Sequence, residues 1–500
     1  MSGERPVVRA ASGAVRGSWR GGSAAFLGIP FAEAPVGELR FAAPAPARPW
    51  AGTRDASRFG PTPQRRPFAE VTTIPEPSFP GAATLNLNVF TPAPGPGAGL
   101  PVRVWIHGGG FFAGSPSSPW YDGASYNRDG VVTVSLSYRL GFDGFGWIVD
   151  APTNRGLRDL IAGLEWVRDN IATFGGDPSR VTIAGQSAGG SAVMALLASP
   201  LAQGLFGQVI AHSAAELSLS STRARVIGRA FAEKAGVEPT RAGWSGLDED
   251  AVLDAQAALM APPEASPPSA AAFVKGALAV GGVGLPFVPM VGDDVLPVAI
   301  ADALRDGVGA GTAVLAGTVA HEFTPQPQAV RLAWSDSDPV QVLADAGLSR
   351  EAACTYVDGQ PELTWTADLC GQVVTDLVFR MPLLAWADSR PDRTWLYDFR
   401  WPAPGTGLSM HCLELPFTWD LLDADGAPAV VGTHPPQHLA GDMHGAWVRF
   451  ITTGDPGWRS WDGHNPRVFG AAQADTYSAS RILAEAIIAR NTSGVVSTAP

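Results

Sequence analysis

The chain has 500 residues, 46% of them hydrophobic, and a formal charge of −12. That is enough apolar material for a large core, and the acidic balance disfavours nucleic acid and anionic membranes as partners. No apolar run approaches the roughly 18 residues of a membrane span, and the N-terminal stretch has no basic start followed by an apolar block. Cys354, Cys370 and Cys412 make neither a disulfide framework nor a zinc site. A cytoplasmic protein without metal or other cofactor is therefore expected.

In chain order, apolar β-branched runs alternate with helix-like stretches. PVRVWIHGGG and GVVTVSLSYRL read as strands, GLRDLIAGLEWVRDNIATF as a helix, RVTIAG as a strand, and Ser191 to Ala198 as a second helix. TAVLAG (Thr312 to Gly317) and TWLYDF (Thr394 to Phe399) read as further strands. This alternation predicts an α/β fold built on a central, mostly parallel sheet flanked by helices. Residues 215–310 and 323–390 look helical and loop-like, with an Ala/Pro-rich stretch at MAPPEASPPSAAA. They read as cap or insertion segments of a single domain covering 1–500, since no linker is long or polar enough to mark a boundary.

The run VTIAGQSAGG, Val181 to Gly190, stops a strand at one serine hemmed in by small residues. G-x-S-x-G between a strand and a helix predicts a nucleophile elbow centred on Ser187. Such a serine takes positive φ, at a cost of about 1–3 kcal/mol, and the tight turn admits only Gly or Ala beside it. An idle serine in a Gly-rich turn would look the same in isolation; the flanking strand and helix favour the elbow. Upstream, HGGGF (His107 to Phe111) ends a strand. Three glycines let backbone N–H groups face a ligand with no Cβ in the way, as an oxyanion site requires.

With these motifs in place, the sequence resembles the type B carboxylesterase family of α/β-hydrolases, which includes the cholinesterases and bacterial p-nitrobenzyl esterases. FLGIPFAEAPVGELRF, LNLNVF, VWIHGGGFFAGS, VSLSYRLGFDGF, NIATFGGDPSRVTIAGQSAGG, FVPMVGDDVLP and WVRFITTGDP follow family blocks in order. The resemblance implies an α/β-hydrolase fold and places the acid at Glu322, in AGTVAHEF, and the base at His411, in HCLELPF. Read from the residues alone, His107 and His212 are rivals for the base. The resemblance also implies an oxyanion hole formed by the N–H groups of Gly109, Gly110 and Ala188. His411 would then take the Ser187 proton, Glu322 would orient His411, and an acyl-serine would form and be cleaved by water.

Three departures from the family pattern stand out. Gln186 occupies a position that often holds Glu, so a preference for cationic esters is not expected. Thr84 replaces a cysteine, which removes an N-terminal disulfide loop, and Ala82 replaces the acid that usually pairs with Arg40. The loop from Phe59 to Ala83 and the Ala258–Ala272 stretch should therefore leave a mobile rim. Phe111, Phe112, Trp120, Phe142 and Phe145 are expected to supply apolar surface beside Gln186 for a bulky, neutral ester. The expected partner is thus a small-molecule ester, with the protein a monomer or weak homo-oligomer. The same triad could instead transfer the acyl group or close a ring, and a non-catalytic adhesion homologue is disfavoured by the intact triad.

Overall fold

The computed structural model describes residues 4–67, 72–261, 269–280, 284–464, 466–472 and 477–494. The chain divides into two compact units. The first comprises Met1–Ala261, Leu285–Ala316 and Leu415–Trp458; the second comprises Pro262–Gly284, Gly317–Glu414 and Arg459–Pro500.

The first unit opens with β1 (Val7–Ala10), β2 (Gly13–Arg16), β3 (Ser18–Arg20), β4 (Ser23–Pro30) and β5 (Thr53–Asp55). There follow β6 (Asn86–Thr91), β7 (Leu100–Ile106), β8 (Val132–Leu136), β9 (Gly176–Gln186) and β10 (Gln208–His212). Its main sheet runs β10-β9-β7-β8-β6-β4-β3. From β8 through β7 and β9 to β10 every pairing is parallel, and helices Arg155–Asn170 and Ala188–Ala198 supply crossovers. From β8 outward the pairings to β6, β4 and β3 are antiparallel. The expectation of a mostly parallel sheet thus holds for the centre and gives way to a mixed sheet at the edge. At the outermost step the reason is local: β3 and β4 are joined by Gly21 and Gly22, a hairpin turn too short for a parallel crossover.

Strand β7 is buried along nearly its whole length, which is why it reads as a continuous apolar run rather than an alternating one. Helix Ala188–Ala198 is buried at every position, so AGGSAVMALLA carries no polar stripe. The late segment Leu415–Trp458 is tied into this unit by Tyr126 Oη donating to Thr418 O at 2.8 Å and Trp120 Nε1 donating to Asp425 O at 3.0 Å.

After Pro262–Gly284 the second unit resumes within β13 (Ala313–Val319), past the first unit's short strands β11 (Leu219–Ser220) and β12 (Met290–Val291), and contains β14 (Thr394–Phe399) and β15 (Arg467–Phe469), which pair in parallel. Both sheet strands expected after residue 310 are therefore present. Its core gathers Leu343, Tyr356, Cys370, Val373 and Leu483 from several helices. The stretch Thr366–Asp388 is long and apolar enough to cross a membrane by length and composition, yet 83% of its most apolar window is buried in the fold. It contains a π-turn at Asp376–Arg380, and Arg380 pairs with Asp398 at 3.1 Å. Two buried charges satisfied within the protein mark an interior helix. Of the Ala/Pro-rich stretch, residues 262–268 lie outside the described residues; on either side run helices Glu249–Met260 and Ala270–Val280.

Candidate active site

Ser187 stands at φ 57, ψ −124, between β9 and helix Ala188–Ala198. It is partly exposed while every other residue from Val181 to Gly190 is buried. The crowding that the small residues foretold is real. A Cβ on Gly185 would fall 2.3 Å from the Gly189 carbonyl oxygen, and one on Gly189 would fall 2.1 Å from Ile106 O. The turn is pinned by Ser187 N–H donating to His212 O at 2.9 Å and Ser191 N–H donating to Ser187 O at 2.8 Å. Ala188 N–H, at the first turn of the helix, lies where the helix dipole favours developing negative charge.

The glycine loop packs directly on this turn. A Cβ on Gly108 would sit 2.7 Å from Gln186 O and 3.1 Å from the Ser187 Cβ. Gly109 and Gly110 follow at φ 110 and φ 61. Phe112 and Ala113 donate to Gly109 O at 3.1 and 2.9 Å, closing the loop on itself. Among the described residues, neither Gly109 nor Gly110 donates its N–H to a backbone carbonyl. Two such donors beside a nucleophile can hold the oxygen of a tetrahedral intermediate.

In the second unit, Glu322 and His411 meet. His411 Nδ1 lies 2.5 Å from Glu322 Oε2, and Val319 N–H donates to Glu322 Oε1 at 3.0 Å. A parallel bridge between His321 and Met410 aligns the two segments. Phe323 and Phe379 flank the imidazole, with ring centroids 5.1 and 5.2 Å away. These two clamps were not expected from the sequence, where nothing linked Phe379 to His411. Burial alone would lower the His411 pKa; the Cys412 side chain and the Glu322 carboxylate, both hydrogen-bonded to it, outweigh burial and hold it well above the ordinary histidine value. The Cys412 thiol is itself pushed up by burial. An imidazole held through Nδ1–H presents Nε2 as proton acceptor, the arrangement a general base needs.

The rival histidines have other tasks. His107 is buried, stacked on Tyr138 at 4.8 Å, and its Nδ1 contacts Gly108 O at 2.8 Å. Burial pushes its pKa down to about 4, so it stays neutral. His212 is also buried and neutral, with its pKa well below the ordinary value. Its Nε2 accepts from Trp447 Nε1 at 3.1 Å, and its carbonyl holds the Ser187 turn.

A cavity of about 1030 Å³ lies in the first unit, lined by Phe112, Leu140, Phe142, Val252, Leu253 and Met260 among others. Of the aromatic residues expected to line a substrate pocket, Phe112 and Phe142 border this cavity. Phe111, Trp120 and Phe145 instead pack in the interior: Phe111 lies against Phe145 at 4.8 Å, and Trp120 is only 1% exposed. Gln186, adjacent to Ser187 in sequence, is buried.

The rim also differs from expectation. Arg40, expected to lack its acid, pairs with Asp143 at 3.1 Å and donates to Leu247 O at 2.8 Å. The loop without a disulfide is tied by Thr62 to Phe79, by Gln64 to Glu76, and to helix Glu249–Met260 by Arg65–Glu249 at 3.2 Å and Arg66–Asp254 at 2.8 Å. Residues 68–71 of that loop lie outside the described residues. Among the described residues, no group of three or more potential metal ligands occurs.

Residues 4–478 match the family described as Carboxylesterase family. The chain is 34% identical over 474 residues to para-nitrobenzyl esterase of Bacillus subtilis (strain 168), covering 90% of each. It is 31% identical over 490 residues to phenmedipham hydrolase of Pseudarthrobacter oxydans, covering 90% of this chain and 91% of the relative. Among solved structures, a carboxylesterase of Geobacillus stearothermophilus aligns with a TM-score of 0.79 at 30% identity, covering 95% of this chain and 99% of that one.

Proposed function

The chain belongs to the carboxylesterase family and is a carboxylic ester hydrolase, and on that premise we propose that Ser187 is its nucleophile, His411 its general base and Glu322 the acid that orients His411. The observation that carries this reading is Ser187 itself, a non-glycine residue held at φ 57 and packed against a loop of glycine amides. In the proposed reaction His411 Nε2 accepts the Oγ proton as Oγ attacks the ester carbonyl. The carbonyl oxygen becomes an oxyanion held by the N–H groups of Gly109, Gly110 and Ala188. The imidazolium, stabilised by Glu322, returns the proton to the leaving alcohol. Water then attacks the acyl-serine with His411 again as base, releasing the acid.

We further propose that the preferred esters are neutral and bulky. The cavity beside Phe112 is largely apolar, and the arginines around it are paired within the same unit: Arg40 with Asp143, Arg65 with Glu249, Arg66 with Asp254 and Arg139 with Asp159. Paired charges leave little net field to select a charged substrate. Relatives named for p-nitrobenzyl and phenmedipham substrates are consistent with an aromatic leaving group.

The test is a fluorophosphonate probe together with a panel of esters varied in acyl and alcohol halves. One label at Ser187, and hydrolysis of p-nitrobenzyl and p-nitrophenyl short-chain esters, are expected. Ser187→Ala and His411→Ala should each lower kcat by at least about 10⁴, with little additivity, because the triad acts as a unit. Unchanged hydrolysis by Ser187→Ala would refute the assignment. Acylation of Ser187 without release by water would point to acyl transfer instead.

A further inference from the structure

We propose that Gln256 is a positioning residue for the oxyanion loop, joining the helix that walls the cavity to the glycine amides. The inference rests on reading Gly109 and Gly110 as oxyanion donors. Helix Glu249–Met260 buries only Val252 and Gln256. A buried side-chain amide is costly unless it is hydrogen-bonded, and Gln256 Oε1 accepts from Phe142 N–H at 3.0 Å. The same oxygen lies 2.4 Å from where a Cβ on Gly141 would stand, and Gly141 is held at φ 55. One side-chain oxygen thus fixes the turn at Gly141 and Phe142.

That turn in turn fixes the loop. Gly141 N–H donates to Phe111 O at 2.7 Å. The peptide unit that carries this carbonyl also carries the Phe112 N–H, which donates to Gly109 O at 3.1 Å. A single peptide plane is therefore gripped at both ends, by Gly141 on one side and Gly109 on the other. Phe111, at φ 66, sits in a conformation that a free loop would relax out of. The direction of the Gly109 and Gly110 N–H groups follows from how this plane is held. Oxyanion donors act through preorganisation, so a small tilt reaches the transition state while leaving ground-state binding nearly untouched.

The experiment compares Gln256→Leu, which removes the acceptor, with Gln256→Glu, which keeps a carboxyl oxygen for Phe142 N–H. The substrate is p-nitrophenyl acetate, small enough to make little use of the cavity. A trifluoromethyl ketone, which forms a tetrahedral oxyanion adduct with serine, reports on the hole directly. Gln256→Leu should lower kcat about tenfold with KM within about twofold, and should weaken the ketone by a similar factor, below the loss for deleting a donor outright. Gln256→Glu should recover most of both. If Gln256→Leu does not fold, Gln256→Met, which also lacks the acceptor, takes its place. The proposal is overturned if the variants lacking the acceptor keep wild-type kcat and ketone affinity, if KM alone rises, or if Gln256→Glu falls as far as they do. A wild-type enzyme that the ketone does not inhibit would overturn the oxyanion reading itself.

Discussion

The carboxylate of Glu322 lies 2.5 Å from His411 Nδ1 and is fully buried there. Cys412 and Glu322 together outweigh burial, so His411 holds its proton to a higher pH than an ordinary histidine. An unperturbed histidine would put the acid limb of the activity profile at about 6.5. The geometry moves it: with His411 as the proposed base, activity requires its neutral form, so kcat/KM should rise with pH through a point above that value. Glu322→Gln should shift the limb back down and lower kcat by orders of magnitude, as when a triad acid is neutralised. A pH–rate profile of both proteins checks this; a wild-type limb below 6.5 would contradict it.

Gln186 is 1% exposed and adjoins Ser187. The wild-type enzyme should show no preference for choline esters over neutral esters of matched size. Gln186→Glu should favour cationic esters by up to about tenfold, roughly 1.4 kcal/mol. Burial raises a carboxyl pKa, so the gain should appear as the pH rises and be absent in acid. Paired kcat/KM measurements at two pH values test both parts.

Cys412 is 8% exposed, stands at φ 73, and its thiol is pushed up by burial. Alkylation proceeds through the thiolate and needs access. Iodoacetamide treatment of the native enzyme should leave most activity intact, and labelling should become rapid only in denaturant. Stoichiometric inactivation on native labelling of Cys412 would show that the thiol is reachable from the site.

Glu414 is fully buried, and burial, reinforced by Glu322, raises its pKa to about 8. The sign follows from linkage. Below about pH 4.5 the residue is protonated in both the folded and unfolded states. Between there and about 8 the unfolded chain gives up the proton first, so stability falls as pH rises. Glu414→Gln should remove that slope. Urea midpoints at pH 5.5 and 8 should therefore differ less in the variant than in the wild type, and an equal difference in both would show that Glu414 does not carry it.

Much of this was readable from local patterns, because the elements concerned are decided locally. The G-x-S-x-G turn needs small residues at fixed offsets, and those offsets are visible in Gly185, Gly189 and Gly190. The pairing of Glu322 with His411 spans 89 positions and came from the resemblance, not from any periodicity. Aromatic residues near the motif were harder to read: Phe111 and Phe112 are neighbours, yet the positive φ at Phe111 turns one into the interior and leaves the other at the cavity. Gln256 carries no local signal, since its importance arises from a contact 114 residues away. Arg40 found Asp143 in the same way, through a partner 103 positions distant.

The scaffold of the Ser187 turn also has a place in the history of each molecule as it leaves the ribosome. Ser187 is turned by the carbonyl of His212, and the ring of His212 accepts from Trp447, on a helix near the end of the chain. Tyr126 and Trp120 likewise wait for Thr418 and Asp425. The first unit cannot close until residues up to Trp458 have been made. A nascent chain that has not reached Trp447 thus carries Ser187 in an unfinished turn.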